Sequence, residues 1–279
     1  MIPEGRKFDF SVLMSVYYKA NPAHLYLALS SIIEQTVGPS QVVIVKDGRL
    51  TPELDVIINE WKKKMYDLFC IVELPVNGGL GMALKVGLEK CRYEFVARMD
   101  ADDICDKQRF EKQIVHLQRN PDVDIVGGWI AEFSSSLDED CLLRKVPEHM
   151  SEIYRLGLFR SPVNHVTVMF RRSSVMMAGG YQDCSGAEDY HLWARMLKCG
   201  CKFYNIQENL VYVRTGSDMY ARRGGIQYIK NTYVLQKYFY DIGFTNLWLF
   251  VFSTIVRSLV FMFPVSIKRV FYRFALRNS

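Results

Sequence analysis

Three aspartates, Asp100, Asp102 and Asp103, fall within four positions, directly after the run Tyr93-Glu94-Phe95-Val96-Ala97-Arg98-Met99. A β-strand that ends in Asp-Ala-Asp-Asp presents several negative charges at the carboxyl edge of a sheet, where α/β proteins bind their ligands. Carboxylates this close repel and raise one another's pKa unless a cation lies among them. Mg2+ and Mn2+ are hard cations that accept carboxylates and keep open positions for phosphate oxygens. The cluster therefore points to metal-diphosphate chemistry. A second acidic pair, Glu188-Asp189, lies far downstream and could supply a base. A helix cap ahead of Arg109, Phe110 and Ile114 would account for one aspartate, but not for three on one strand end.

The elements that must position these groups alternate. Phe10–Val16 and Gln41–Val45 read as strands covered on both faces, Leu68–Leu74 as a third, and the run ending at Met99 as a fourth. Between them, Leu25–Gln35, Leu54–Met65 and Gly81–Cys91 have helical periodicity. This predicts an α/β protein with a doubly wound, mostly parallel sheet. Beyond it the alternation weakens. Arg109–Arg119 and Glu188–Lys198 read as helices, and Ile125–Trp129, Val166–Phe170, Cys201–Ile206 and Leu210–Val213 as strands. That half is expected to extend the sheet in mixed fashion rather than fold separately.

Three further features converge on the same carboxyl edge: Ser15-Val16-Tyr17, Asp47-Gly48 and Asn77-Gly78-Gly79-Leu80-Gly81. An aromatic ring can stack on a base, a carboxylate can accept an imide N–H, and glycines let backbone amides approach a ligand. Each is a weak signal alone, since Asp-Gly is usually a turn and Gly-Gly-Leu-Gly is not the dinucleotide fingerprint.

Taken in order with Ala97–Asp103, Arg109–Gln113, Asn120-Pro121-Asp122, Asn164–Phe170, Gly179-Gly180-Tyr181 and Ala187–Trp193, these motifs resemble glycosyltransferase family 2 over about residues 8–225. Within it, the chain is most similar to bacterial exopolysaccharide enzymes of the amylovoran-biosynthesis type. The resemblance implies an inverting enzyme with the GT-A nucleotide-diphospho-sugar fold. It implies that Tyr17 stacks on a base, uracil in a UDP-sugar donor, that Asp47 accepts the base's imide proton, and that Ser15, Asn77 and Gly79 line the donor site. Asp100 and Asp102 match the family's DxD pair: Asp102 would bind Mn2+ or Mg2+ directly, and Asp100 would reach the ribose or the metal shell. Asp189 matches the catalytic base, with Glu188 in support. Arg214, with Arg222 and Arg223, is expected over the diphosphate. Two positions depart from the pattern. Lys46 stands where many members have Asp, and so does His191, which belongs either in the acceptor site or, as expected here, on a solvated helix face. His165 reads as a satisfied interior histidine.

Other chemistries fit less well. A sugar nucleotidyltransferase would need a Gly-rich, arginine-containing loop after the first strand, where this chain has Tyr17-Tyr18-Lys19-Ala20-Asn21-Pro22. A non-catalytic nucleotide-sugar-binding scaffold would not need both the DxD pair and Glu188-Asp189.

Composition separates a body from a tail. The chain has 279 residues, 35 of them Lys or Arg and 30 Asp or Glu. Five of the basic residues, Arg257, Lys268, Arg269, Arg273 and Arg277, follow Asp241, and no acidic residue does; the body is thus left with 30 of each sign. A neutral body argues against general nucleic-acid binding, and an apolar, basic tail points to an anionic membrane surface. The expected division is a catalytic domain over 1–241, with a nucleotide-binding half to about 105 and an acceptor-binding half over about 106–225, then a helical tail over 242–279. Leu247–Ile267 is long enough to cross a bilayer, but Arg257 at its centre and Pro264 near its end favour helices lying in the interface. Seven dispersed cysteines without CxxC read as reduced thiols, and the residues before the first strand contain no secretory signal. The expected location is peripheral, on the cytoplasmic face of a bacterial inner membrane, with a lipid-linked saccharide as acceptor.

Overall fold

The computed structural model describes residues 9–134, 141–184, 186–215 and 226–262. Arg222, Arg223, Pro264 and the basic residues after Met262 lie outside them. Strands β1 (Phe10–Val16), β2 (Gln41–Lys46), β3 (Phe69–Glu73) and β4 (Phe95–Met99) alternate with helices α1 (Pro22–Ile33), α2 (Pro52–Lys64) and α3 (Leu80–Lys90). All neighbours in the order β3-β2-β1-β4 are parallel. Side chains of β1 alternate between two cores. Val12, Met14 and Val16 pack with Leu25 and Leu29 of α1, while Leu13 joins Val43, Val45, Leu84 and Leu88 on the other face. Burial on both faces explains why these strands read as unbroken apolar runs. The helices start for local reasons. The Asn21 side chain accepts from the Ala23 and His24 amides with Pro22 in the first turn, and Thr51 caps α2 ahead of Pro52.

The second half adds β5 (Ile104–Cys105), α4 (Arg109–Arg119), β6 (Ile125–Phe133), β7 (Leu142–Arg144), α5 (Met150–Gly157), β8 (Met169–Arg171), α6 (Arg172–Met177), α7 (Glu188–Lys198) and β9 (Phe203–Arg214). Among the described residues, nine strands form one mixed sheet in the order β3-β2-β1-β4-β8-β6-β9-β5, with β7 on β6. The antiparallel β8 lies between β4 and β6. The parallel order thus ends beside β4, the strand that delivers Asp100.

Two expected strands differ. Val166–Phe170 is a 3-10 turn at His165–Thr167 followed by β8. The Thr167 hydroxyl donates to the Asn164 carbonyl at 2.8 Å, closing the turn that a β-branched run conceals. Conversely, the expected strands Cys201–Ile206 and Leu210–Val213 merge into one strand, β9, which begins at Phe203. Its irregular register against Gly128, Trp129 and Ile130 of β6 absorbs the polar interruption.

Two helices follow, α8 (Ile226–Asp241) and α9 (Leu247–Met262). No helix of the described residues is long and apolar enough to cross a membrane. Arg257 donates to the Phe159 carbonyl and lies over the Tyr190 ring at 5.7 Å. The arginine at the centre of the apolar tail thus faces the body, not hydrocarbon. All seven cysteines are free.

Candidate active site

At the carboxyl ends of β1, β2 and β4 lies a cleft of about 550 Å³, lined by Ser15, Tyr17, Asp47, Asn77, Gly79, Asp100 and Asp102, together with Lys19, Asn21 and His24. Seven residues singled out in the sequence therefore share one cavity. Tyr17 leaves its ring exposed at the mouth, edge-on to Tyr18. Asp47 is buried, and its two oxygens accept from the amides of Gly78 at 2.7 Å and Gly79 at 3.1 Å. Asn77 donates from its side chain to the Asp47 carbonyl at 3.2 Å. In this structure Asp47 therefore holds the glycine loop at the start of α3, and a base would have to use its remaining lone pairs. Gly79 takes φ +83° directly before α3, so that the free amides of the helix end face the cleft. That is a ready anion site. Lys46 is turned away, paired with Asp55 at 2.8 Å and Glu73 at 2.6 Å.

Oxygens of Asp100, Asp102 and Asp103 lie within 4.8 Å of one another. Their environments differ. Both oxygens of Asp100 are engaged by the buried Arg98 guanidinium, at 2.5 and 2.6 Å. Asp103 is buried and accepts the Arg214 backbone N–H at 2.9 Å. Asp102 is the exposed member. Loss of water and then the Asp100 charge raise the Asp102 pKa; the same causes, with Asp102 added, push Asp103 well up. Three hard oxygen donors that resist carrying full charge together suit a divalent cation. Asp102, the exposed carboxylate of the three, is the one open to a cation. The Arg214 guanidinium stacks over Phe133 at 4.6 Å, and its charge reaches Asp102. Arg214 thus stands at the rim of the acidic cluster.

Asp189 lines a second cavity of about 390 Å³, walled by α7, α8 and Arg257 of α9. It sits in the first turn of α7, where the helix field favours a carboxylate, with the Ser161 hydroxyl 3.5 Å away. Desolvation nevertheless raises the Asp189 pKa, and desolvation with the Asp189 charge raises that of Glu188. The Arg98 charge opposes both shifts, and Asp100 adds to the rise at Glu188. Arg98 is the link that motif reading missed. It pairs with Asp100, and its charge also acts on Asp189 and Glu188. An arginine inside an otherwise apolar strand was the available signal. Arg109 supports it from below, fully buried and donating to the Arg98 carbonyl at 2.7 Å.

His191 is not solvated. It is buried, its ring lies 4.2 Å from that of Tyr238, and burial lowers its pKa to about 4. The apolar side of α7 is wider than its sequence suggests because α8 covers it. His165 bonds Tyr181 Oη at 2.9 Å.

Residues 11–176 match the family model described as Glycosyl transferase family 2. The chain is 37% identical over 269 residues to the UDP-Gal:alpha-D-GlcNAc-diphosphoundecaprenol beta-1,3-galactosyltransferase of Escherichia coli, covering 96% of this chain and 97% of the relative. It is 36% identical over 266 residues to the amylovoran biosynthesis glycosyltransferase AmsE of Erwinia amylovora, covering 94% and 97%. The mannosyltransferase PcManGT from Pyrobaculum calidifontis, solved in complex with GDP-Man and Mn2+, matches with a TM-score of 0.62 at 18% identity, covering 96% of this chain and 76% of that one. At that identity the likeness is one of fold.

Proposed function

The chain belongs to glycosyl transferase family 2 and has its GT-A fold, and on that premise we propose that it moves a sugar from a UDP-sugar to a hydroxyl of a lipid-linked saccharide. The observation that carries this reading is the one cleft that brings Ser15, Tyr17, Asp47, Asn77 and Gly79 together with Asp100 and Asp102. The substrates in the name of the Escherichia coli relative support the donor and acceptor classes, and AmsE supports a role in exopolysaccharide, capsule or O-antigen assembly.

In this reading Tyr17 stacks on the base, Ser15, Asp47 and Asn77 frame the nucleoside, and the start of α3 at Leu80, just after Gly79, meets the diphosphate. Asp102, with Asp100 beside it, would hold Mn2+ or Mg2+, whose chemistry is to offset charge on the departing nucleoside diphosphate. Arg214 adds positive charge at the same end. Asp189 removes the proton from the acceptor hydroxyl as it attacks the anomeric carbon from the face opposite the leaving group. Glu188 keeps negative charge at that helix end, and Arg98 fixes the Asp100 carboxylate. A single displacement with one base inverts the anomeric centre. The apolar outer face of α9, with the basic residues beyond it, would rest peripherally on an anionic membrane at the cytoplasmic face, where lipid-linked acceptors are met.

Asp102→Asn tests the donor half. Calorimetry with UDP and Mn2+ should show metal-dependent binding to the unaltered enzyme and a loss of about tenfold or more in the variant, as expected for removal of a ligand. Unchanged binding would take Asp102 out of the metal site. A panel of nucleotide-sugars, screened by thermal stabilisation, identifies the donor.

A further inference from the structure

The tail's only charged residue before Met262 is Arg257, set in Leu247-Trp248-Leu249-Phe250-Val251-Phe252-Ser253-Thr254-Ile255-Val256-Arg257-Ser258-Leu259-Val260-Phe261-Met262. Placing a guanidinium in such a helix is costly unless it has a task on the inner face. Here it lines the 390 Å³ cavity that also contains Asp189. One N–H group is taken by the Phe159 carbonyl and one face rests against Tyr190, the residue after the base. Among the described residues no carboxylate pairs with Arg257, although a guanidinium carries five donors. The acidic members of the lining, Asp183 and Asp189, come from the α7 side of the pocket, and Arg257 comes from α9. The cavity thus has a proton-accepting wall and a cationic wall. Behind the cationic wall, α9 turns Trp248, Phe252, Ile255 and Leu259 outward, all exposed.

These three features lie in the order of one molecule's chemistry: a sugar hydroxyl, an anionic linkage and a hydrocarbon chain. We infer that Arg257 is the residue that recognises the diphosphate joining sugar to lipid in the acceptor, with the lipid running along the outer face of α9. The assignment deepens the lipid-linked acceptor reading and rests on it. Its chemistry is a charge-assisted fork, in which a guanidinium donates paired N–H groups to phosphate oxygens at the edge of an apolar surface. The residue acts on binding and takes no part in the displacement. It would confer preference for diphosphate-linked over neutral acceptors by holding the sugar against Asp189.

Binding of decyl diphosphate to the full chain tests this without any transfer, with excess UDP and Mn2+ present to fill the donor cleft. Decanol and decyl monophosphate serve as comparison ligands. Arg257→Gln keeps a donor for the Phe159 carbonyl but removes the charge, whereas Arg257→Lys keeps the charge without the fork. We expect Gln to weaken decyl diphosphate binding by about 10- to 100-fold, Lys to weaken it less, and neither to change decanol binding. UDP affinity and the unfolding temperature should stay at their original values in both variants, which separates recognition from a structural role. Equal diphosphate affinity in Arg257→Gln and the unaltered chain overturns the assignment. So does a loss of the same size for decanol. If Asp189→Asn still transferred sugar at the full rate, the catalytic reading would fail while this binding result stood.

Discussion

Asp189 has the properties of a base before any substrate is considered. Its pocket strips away water and raises its proton affinity, while the start of α7 and Arg98 keep the ionised form accessible. Replacing it with Asn keeps the shape and removes the proton acceptor. Asp189→Asn should lower kcat by about 10²- to 10⁴-fold, the usual contribution of a positioned base. Donor and Mn2+ binding should survive, and a variant that transfers at the original rate would exclude the role. The sign of the pH effect comes from the same shift. With Asp189 as the proposed base, transfer needs it ionised, so kcat should fall as pH drops through its folded titration. Because burial raises that titration, the acidic limb at saturating donor and metal should lie above the ~3.9 of an exposed aspartate. A limb at or below that value would mean that another group limits the rate. The acidic residues of this site were legible in the sequence because carboxylates on a strand end have few structural uses. Arg98 was not, since its role depends on being buried at 2% exposure between two acidic groups that lie about 90 positions apart in the chain. His191 was misjudged for the related reason that α8, which covers it, arrives from more than 30 residues downstream.

At the scale of elements, the turn after β2 shows how backbone shape sets the donor cleft. Gly48 takes φ +80°, and a Cβ there would come within 2.7 Å of the Asn77 amide nitrogen. Gly79 takes φ +83° but has open space around the same position. Alanine at either site carries backbone strain of about 1–3 kcal/mol. Only at Gly48 must the Asn77 backbone also move. Gly48→Ala should therefore lower the unfolding temperature more than Gly79→Ala, and it should weaken UDP binding by displacing the loop that Asp47 holds. If both variants lost the same stability and kept full UDP affinity, packing of that loop against the turn would not matter to the cleft. The parallel half was readable because each strand is covered on both faces and each helix has its own stripe; β1, α4 and α7 have the bounds predicted for them. Elements decided by distant partners were less readable. β5 and β7 are two and three residues long, the former with its pairing partner β9 far along the chain, and α5 and α6 are too short to show a period. The Thr167 turn was hidden by its β-branched composition.

The whole molecule is asymmetric in charge and in polarity. The body through Asp241 is formally neutral, and the segment after Asp241 is apolar and basic. On α9 the outward residues Trp248, Phe252, Ile255 and Leu259 have helical spacing, and Trp248 is 80% exposed. Inward, Ser253 is buried and Arg257 holds the Phe159 carbonyl, so the helix is fastened to the body by one face, and among the described residues the other is left uncovered. An apolar stripe of this kind on an element that reaches the Asp189 cavity through Arg257 suits a surface that burrows into the headgroup region without crossing it. Truncating the tail would also remove Arg257 and uncover α8, so substitutions on the outer face are the cleaner probe. The triple variant Trp248→Glu, Phe252→Glu, Ile255→Glu should fold and bind UDP as before. Its partition into phosphatidylglycerol vesicles should fall by about 10- to 100-fold relative to the unaltered chain, because each large apolar group buried is worth about 1.5–3 kcal/mol when fully covered. Both proteins should bind phosphatidylcholine vesicles more weakly, since the basic residues then lack an anionic partner. Co-sedimentation of the triple variant at the original level would refute membrane contact through α9. A change from dimer to monomer in sedimentation velocity would instead make this face an interface between copies of the chain. In that case Arg257 would still face its pocket, but lipid could not run along the helix beside it.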